Sequence, residues 1–487
     1  MVPRRRPERE VRFSKKPPET EKADRGDQKM KRAQDRDMTT GTIWQHIVRF
    51  ALPMSLGLLF QQLYNTVDSW VVGNYVSKQA LAAVGCNGNI INVLVGTFAG
   101  LATGMGVVVS QNYGAKEYKR LFRAVQTAVV LTLVLCVLGT AAGALLVTPL
   151  LRLNQTPDDV LRDATDYLTI YFYGLTGLMI YNMGTGIMRA VGDSRRPLIF
   201  LIISAVVNTA LDLLFVVRFN MGVKGVAWAT VIAEALSAVL VTVTLISTDA
   251  PYAIRPRELR VDRGLLRQIF AIGLPSAIQS AVTSFSNVFV QSYINRFGSD
   301  CMAGWAGYTK LEPFVTVPIQ SVSMASTTFV GQNWGAGNRD RARRGVNVSM
   351  LASVAAAISL SVVVMILARP LLQLFSQDEG MLEYGTFFVR MILPFYFLIC
   401  SNQIYSGALR GIGNSTTPTV IMLGSFVLFR QLYLYVTSVL SGSRVFVALA
   451  YPMGWILCSA LLFICYRRSE LFRQKEPDTN AKNAAKA

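Results

Sequence analysis

Charge is scarce in this chain: Asp, Glu, Lys and Arg make up 16% of its 487 residues, against 52% for apolar side chains. A soluble domain carries roughly a quarter charged residues, so a soluble fold is excluded and a polytopic membrane protein is indicated. Histidine is scarcer still. His46 is the only one and precedes the first apolar segment, which leaves a metal site or histidine-based catalysis little to build on. Of the six cysteines, Cys86, Cys136, Cys400, Cys458 and Cys465 fall inside apolar segments and only Cys301 sits near a membrane face, so there is no disulfide framework and no CxxC site. No nucleophile, metal or paired-acid motif gathers on one surface, so an enzyme is not expected, and no cofactor is implied. The net charge of +19 does not call for nucleic acid, because the basic residues lie between the apolar segments.

What the chain has is apolar length. Residues 1–40 are charged, Pro-containing and nearly devoid of large apolar groups, and read as a disordered basic cytoplasmic tail. The long charged lead is the wrong architecture for a cleavable signal peptide, so a mature N-terminus is expected. Twelve apolar spans of about 20 to 30 residues follow, with cores near 47–75, 80–110, 124–150, 165–188, 197–217, 222–247, 267–295, 301–330, 347–373, 385–409, 418–440 and 443–466. Alternate connections carry the charge: KEYKRLFR from Lys116, RAVGDSRR from Arg189, RPRELRVDRGLLR from Arg255, RDRARR from Arg339 and the tail from Arg467. The positive-inside rule places these connections and both termini in the cytoplasm, and the chain in the inner cell membrane in contact with lipid. The expected organisation is a six-helix lobe over 41–248, a cytoplasmic linker over 249–266, a second six-helix lobe over 267–467 and a C-terminal tail over 468–487.

The two lobes repeat each other. SQNYGAKEYKRLFRAV from Ser110 returns as GQNWGAGNRDRARRGV from Gly331, and RAVGDSRRP from Arg189 returns as RGIGNSTTP from Arg410, both at an offset of 221 (332 − 111 and 410 − 189). Six spans is an even number, so the repeats share orientation and are related by an axis along the membrane normal, a transporter architecture. A major-facilitator carrier also has six plus six spans, but the GxxxDRxGRR-type loop expected after span 2 is QNYGAKEYKR here.

Acids inside spans are expensive and mark ion or proton sites unless they serve only to pair helices. In span 5, Asn208 and Asp212 stand four residues apart on one helical face. In span 1, Gln61, Tyr64, Asn65 and Asp68 make a stripe at i, i+3, i+4 and i+7 that must face protein or water. Counted from the outer ends of their helices, Asp68, Asp212 and Thr230 in span 6 agree in depth within about one turn. Two carboxylates, an amide and a hydroxyl at one depth suit a hard monovalent cation such as Na+, or a carboxylate pair sharing one proton. Glu234 shares the face of Thr230 and reads either as a proton relay or as a packed, permanently protonated acid.

These residues resemble the multidrug and toxic compound extrusion (MATE) transporters, most closely their DinF-like prokaryotic branch. The resemblance rests on LP...QQLYNTVDSWVVG, SQNYGA, VGQNWGA, RAVGDSRRP, VNTALD and KGVAWAT and covers about residues 44 to 467. It implies an all-α fold of two six-helix lobes and a monomeric antiporter that exports small drug-like, often cationic, compounds in exchange for Na+ or H+. It maps the cation site onto Asp68, Asn208, Asp212 and Thr230, and the substrate chamber onto Gln61, Tyr64, Asn65 and Asn182. A flippase for lipid-linked oligosaccharides, from the same superfamily, is the alternative.

The second lobe lacks the acids: Val290 stands where Asp68 stands, and Phe429 and Tyr433 replace Asn208 and Asp212. It has instead Lys310 and Glu312 in span 8 and Arg430 in span 11, with a buried Glu312–Arg430 ion pair expected to serve structure or gating. Pro53 in span 1 and Pro275 in span 7 are candidate hinges, each removing a backbone hydrogen bond.

Overall fold

The computed structural model describes residues 37–153, 156–440 and 442–472. Most of the N-terminal tail assigned to 1–40, and most of the C-terminal tail assigned to 468–487, lie outside the described residues. The described chain is all helical, and its rods follow the apolar runs. Span 1 is Ile43–Tyr75, span 2 Lys78–Gly114, span 3 Tyr118–Leu153 and span 4 Asp158–Ala190. Span 5 is Arg195–Asp212 prolonged by a π-helical turn, Leu213–Arg218, and span 6 is Gly222–Ser247. Span 7 is Arg263–Asn295, and span 8 is Ser299–Leu311 followed by Pro313–Gly335. Span 9 is Arg339–Ile366 with a short helix Ala368–Gln373. Span 10 joins Glu379–Ile392 to Tyr396–Gly411, span 11 joins Thr416–Leu423 to Arg430–Leu440 through a π turn, and span 12 is Arg444–Arg467.

Ten of these are long and apolar enough to cross a membrane, which makes the chain an integral membrane protein. The remaining two, spans 4 and 8, have local causes. Span 4 carries Asp158, Asp159, Arg162, Asp163 and Asp166 in its first turns, and Tyr171, Tyr173, Tyr181, Asn182 and four glycines lower the hydropathy of the remainder. Span 8 is interrupted where Pro313 has no N–H to donate. Starts are capped where polar residues precede the rods: Asp262 accepts from the N–H groups of Gly264 and Leu265, and Asp378 from that of Met381.

Within the first lobe, glycines let spans 4 and 6 approach. A Cβ at Gly177 would meet the backbone of Glu234 and Ala235 at 3.0–3.2 Å, and one at Gly184 would meet Val241 at 2.7 Å. Between the lobes, span 1 packs on span 8, span 2 on span 7, and spans 2 and 8 on each other. The symmetry is closest at the end bearing the basic loops. A Cβ on Gly114 would lie 1.9 Å from the carbonyl oxygen of Gln332, and one on Gly335 the same distance from that of Gln111. The side chains complete an exchange: Gln111 Nε2 donates to the Gly411 carbonyl, and Gln332 Nε2 to the Ala190 carbonyl, each at 2.8 Å. Gln332 Oε1 also accepts from the Met38 N–H at 3.0 Å, and Arg341 Nη2 donates to the Thr40 carbonyl. Met38 is only 3% exposed. Residues 38–40 therefore belong to the helical body, a correction to the tail boundary that follows from these backbone contacts with the second lobe.

The ion pair expected between Glu312 and Arg430 is not formed. Arg430, 4% exposed, donates through Nη2 to Ser286 Oγ and Asn287 Oδ1, both at 2.9 Å, and its guanidinium lies 4.9 Å from the centre of the Tyr451 ring. Glu312 sits at the bend before Pro313 among Tyr308, Tyr396 and Tyr451, while the Tyr308 and Tyr396 hydroxyls bond each other at 2.7 Å. The polar stripe of span 7 has taken the role assigned to the acid. Lys310 is exposed.

Two outcomes follow. Gly114→Ala should force a methyl against the Gln332 backbone and destabilise the closed basic end by about 1 to 3 kcal/mol. Hydrogen exchange of residues 331–338 in purified protein should accelerate, and unchanged exchange would mean that this approach is not a binding contact. Glu312→Gln should leave thermal stability unchanged, whereas Ser286→Ala, which strips an acceptor from Arg430, should cost about 1 to 3 kcal/mol. A large loss in the glutamine variant would reinstate the ion pair.

Candidate ion and substrate site

Span 5 turns Ser204, Asn208 and Asp212 inward at four-residue steps, and Ser204 Oγ donates to the Ala233 carbonyl of span 6 at 2.9 Å. That seam brings Asp212 and Asn208 against Thr230 and Glu234 of span 6, while span 1 delivers Asp68. The residues come together as the spacing indicates. Asp68 is 8% exposed, Asn208 1%, Asp212 0% and Thr230 5%, and the Asp68 and Asp212 carboxyls are neighbours. A π-helical turn begins directly after Asp212, a feature that concentrates at functional sites.

Burial without partners is the notable property. Both oxygens of Asp212, Oδ1 of Asp68, both polar atoms of the Asn208 amide and Oε2 of Glu234 are buried with no hydrogen-bond partner other than the approach of the two aspartic carboxyls to each other. Thr230 gives its hydroxyl proton to the Val226 carbonyl at 3.0 Å, which leaves the oxygen's lone pairs free to accept. Unsatisfied oxygens of this kind cost about 1 to 3 kcal/mol each, and more where charged. The donor set is all oxygen, the chemistry of a hard cation or a shared proton. Among the described residues no three acids, cysteines or histidines cluster as a transition-metal site would require.

Beside this set lies a cavity of about 520 Å³. Gln61, Tyr64 and Asn182 line it, as do Asn208, Thr230 and Glu234; Asp68 and Asp212 stand behind them. Asn182 Nδ2 is held by the Leu178 carbonyl at 2.9 Å. Asn65 is not part of the lining. It is exposed and donates to Gln62 Oε1 at 3.4 Å, because its position is rotated away from the side on which Gln61, Tyr64 and Asp68 fall. Pro53 lines the cavity, while Pro275, Lys310, Glu312 and Arg430 do not. Two residues that sequence reasoning passed over complete the site. Tyr167 and Tyr171 of span 4 stack at 6.5 Å and face the acids, Tyr167 beside Thr230 and Tyr171 beside Glu234. Their signal was a pair of tyrosines four residues apart on a membrane helix.

In the second lobe the corresponding place is filled with hydrocarbon. Val290 is fully buried, and the Phe429 and Tyr433 rings lie 6.4 Å apart.

Comparison with known proteins agrees with this anatomy. The probable multidrug resistance protein YpnP of Bacillus subtilis is 28% identical over 432 residues, covering 88% of this chain and 96% of its own length. The probable multidrug resistance protein YoeA of the same organism is 28% identical over 389 residues, covering 78% and 84%. A MOP superfamily transporter from Pyrococcus furiosus Vc1 superposes with a TM-score of 0.85 at 21% identity, covering 90% of this chain and 99% of its own, a likeness of fold. The MatE family profile matches residues 53–214 and again 275–436, a shift of 222 (275 − 53) that restates the internal repeat. The chain belongs to the MatE family, whose members are transporters and not enzymes.

Proposed function

We propose that this protein is a secondary active multidrug efflux antiporter of the inner membrane, which exports organic compounds in exchange for Na+ or H+. The relatives' names support the substrate range. The observation that carries the coupling is the group of buried carboxylate and amide oxygens without donors at Asp68, Asn208 and Asp212, whose places in the repeat are taken by Val290, Phe429 and Tyr433. Asp68, Asn208, Asp212 and Thr230 hold the cation. Asn208 and Thr230 belong to both the cation set and the cavity wall, so they pass the presence of the ion to the substrate, and Glu234 on the same wall serves as a proton relay. Gln61, Tyr64 and Asn182 contact the exported compound. The lobes, 41–248 and 267–467, work as two bodies joined by the linker 249–266, with both termini in the cytoplasm. The closed basic end is then the cytoplasmic gate, held by Gln111 and Gln332.

At Gly114 and Gly335 the lobes meet backbone to backbone, so the gate is either shut or open with little between. Cation entry neutralises the acids, removes the charge that attracts a cationic compound and releases it outward.

Asp212→Asn tests the site. The substitution removes the principal ligand and also the cost of a buried charge, so the protein should reach the membrane with unimpaired thermal stability. Ethidium efflux from proteoliposomes, driven in separate arms by a Na+ gradient and by a pH gradient, should fall to the level of empty vesicles in whichever arm drives the wild type. Normal export by this variant would sink the site.

A further inference from the structure

The chamber has a second charged feature. Arg189 and Arg410 both line it, one from each lobe, at positions related by the repeat offset of 221 (410 − 189). Each stands one residue before a carbonyl of the gate, Ala190 for Arg189 and Gly411 for Arg410, so the pair lies on the chamber floor directly above the glutamine exchange. Both guanidiniums are half-buried in the last turn of a helix. The helix end suits a cation, but the carbonyls that would accept from it are taken by Gln332 and Gln111.

Neither arginine has an acid partner among the described residues. Other arginines differ: exposed Arg123 and Arg369 and half-buried Arg196 and Arg444 have found carboxylates, and buried Arg430 has Ser286, Asn287 and the Tyr451 ring. The sole carboxylate on the chamber wall is Glu234, and it is too distant. Gly177 packs against Glu234 and Ala235, and Arg189 lies 12 residues farther along the same helix (189 − 177), about 18 Å at 1.5 Å per residue. The chamber is therefore a long dipole, acidic at the level of the cation site and doubly basic at its floor. Two half-buried guanidiniums facing one cavity without counter-charge are costly unless an anion completes them.

We infer that Arg189 and Arg410 form an anion subsite, which recognises a carboxylate or phosphate carried by the exported molecule. This deepens the efflux reading above and rests on it: the substrate class becomes organic anions and zwitterions, with any cationic end directed toward Glu234. The planar guanidinium fork matches carboxylate and phosphate oxygens in pairs. Because one arginine comes from each lobe, a bound anion joins the lobes across the shut gate. The same chemistry is offered by a soluble drug carboxylate and by the phosphate of a lipid-linked sugar.

Rhodamine B, which carries a free carboxylate, and its ethyl ester, which does not, form a matched pair. Full-length protein in nanodiscs would be titrated with each dye by fluorescence anisotropy. Arg189→Gln and Arg410→Gln should each weaken rhodamine B by about tenfold or more, while leaving the ester within about twofold. Should a glutamine variant fold poorly, Arg189→Lys and Arg410→Lys keep the charge but lose the fork, and should retain rhodamine B binding at an intermediate affinity. A fourth arm adds undecaprenyl phosphate to the nanodisc: displacement of rhodamine B assigns the anion to a lipid-linked phosphate, and no displacement assigns it to soluble compounds. Equal loss of both dyes, or loss of neither, overturns the subsite. Wild-type protein that binds the ester but not rhodamine B also overturns it and leaves the efflux reading intact, whereas binding of neither dye overturns both.

Discussion

A buried oxygen without a donor is the constraint from which the rest of this molecule follows. A carboxylate in that position is the most expensive case, because in lipid there is no water to satisfy it and only a cation or a proton offsets its charge. The first lobe gathers such atoms on Asp68, Asn208 and Asp212, with Asn208 on the cavity wall and the two acids behind it. The second lobe keeps the same helices but fills the equivalent space with Val290, Phe429 and Tyr433, and stabilises its one deeply buried cation, Arg430, with the hydroxyl of Ser286 and the amide of Asn287.

The symmetry survives where the lobes meet. Gln111 and Gln332, Gly114 and Gly335, Arg189 and Arg410 are all pairs at one offset, and they cluster at the basic end. A Cβ on either glycine would overlap the opposing backbone, so the interface depends on two residues having no side chain. Such an interface resists small adjustment and favours two discrete arrangements. The N-terminal approach to span 1 is tied to the same place by the Met38 N–H, so the start of the first lobe's leading helix is anchored on the second lobe.

Much of this was legible in the sequence because it depends on period. Apolar length gives the spans, the recurrence of QNYGA as QNWGA gives the repeat, and steps of three and four residues in spans 1, 5 and 6 give the shared face of Asp68, Asn208, Asp212 and Thr230. The limits are equally physical. Asn65 satisfies the same spacing rule as Tyr64 but lies on the other side of the stripe, and a four-residue step alone does not resolve that angle. Glu312 and Arg430 are opposite charges within the second lobe's spans, yet that does not fix the direction each one faces, and Ser286 and Asn287 of span 7 hold the arginine instead. Tyr167 and Tyr171 lie in a span that the sequence does show, but two tyrosines four residues apart pack against neighbours as readily as they face a site, and spacing does not say which. Arg189 was read as part of a basic loop and Arg410 only as its counterpart in the repeat, because their exposure to the chamber depends on where spans 4 and 10 end relative to the gate.

The central claim is that ion and drug compete through the first lobe. Equilibrium binding of a cationic drug to purified protein, titrated against Na+ at fixed pH and against pH without Na+, measures that competition directly. For a coupling of about 1 to 3 kcal/mol, the drug's apparent affinity should shift some five- to 150-fold between cation-free and cation-saturated protein, and Asp68→Asn should abolish the shift. An affinity that responds to neither cation, or a response that persists unchanged in the variant, would contradict the account and move the coupling to the second lobe or the lobe interface.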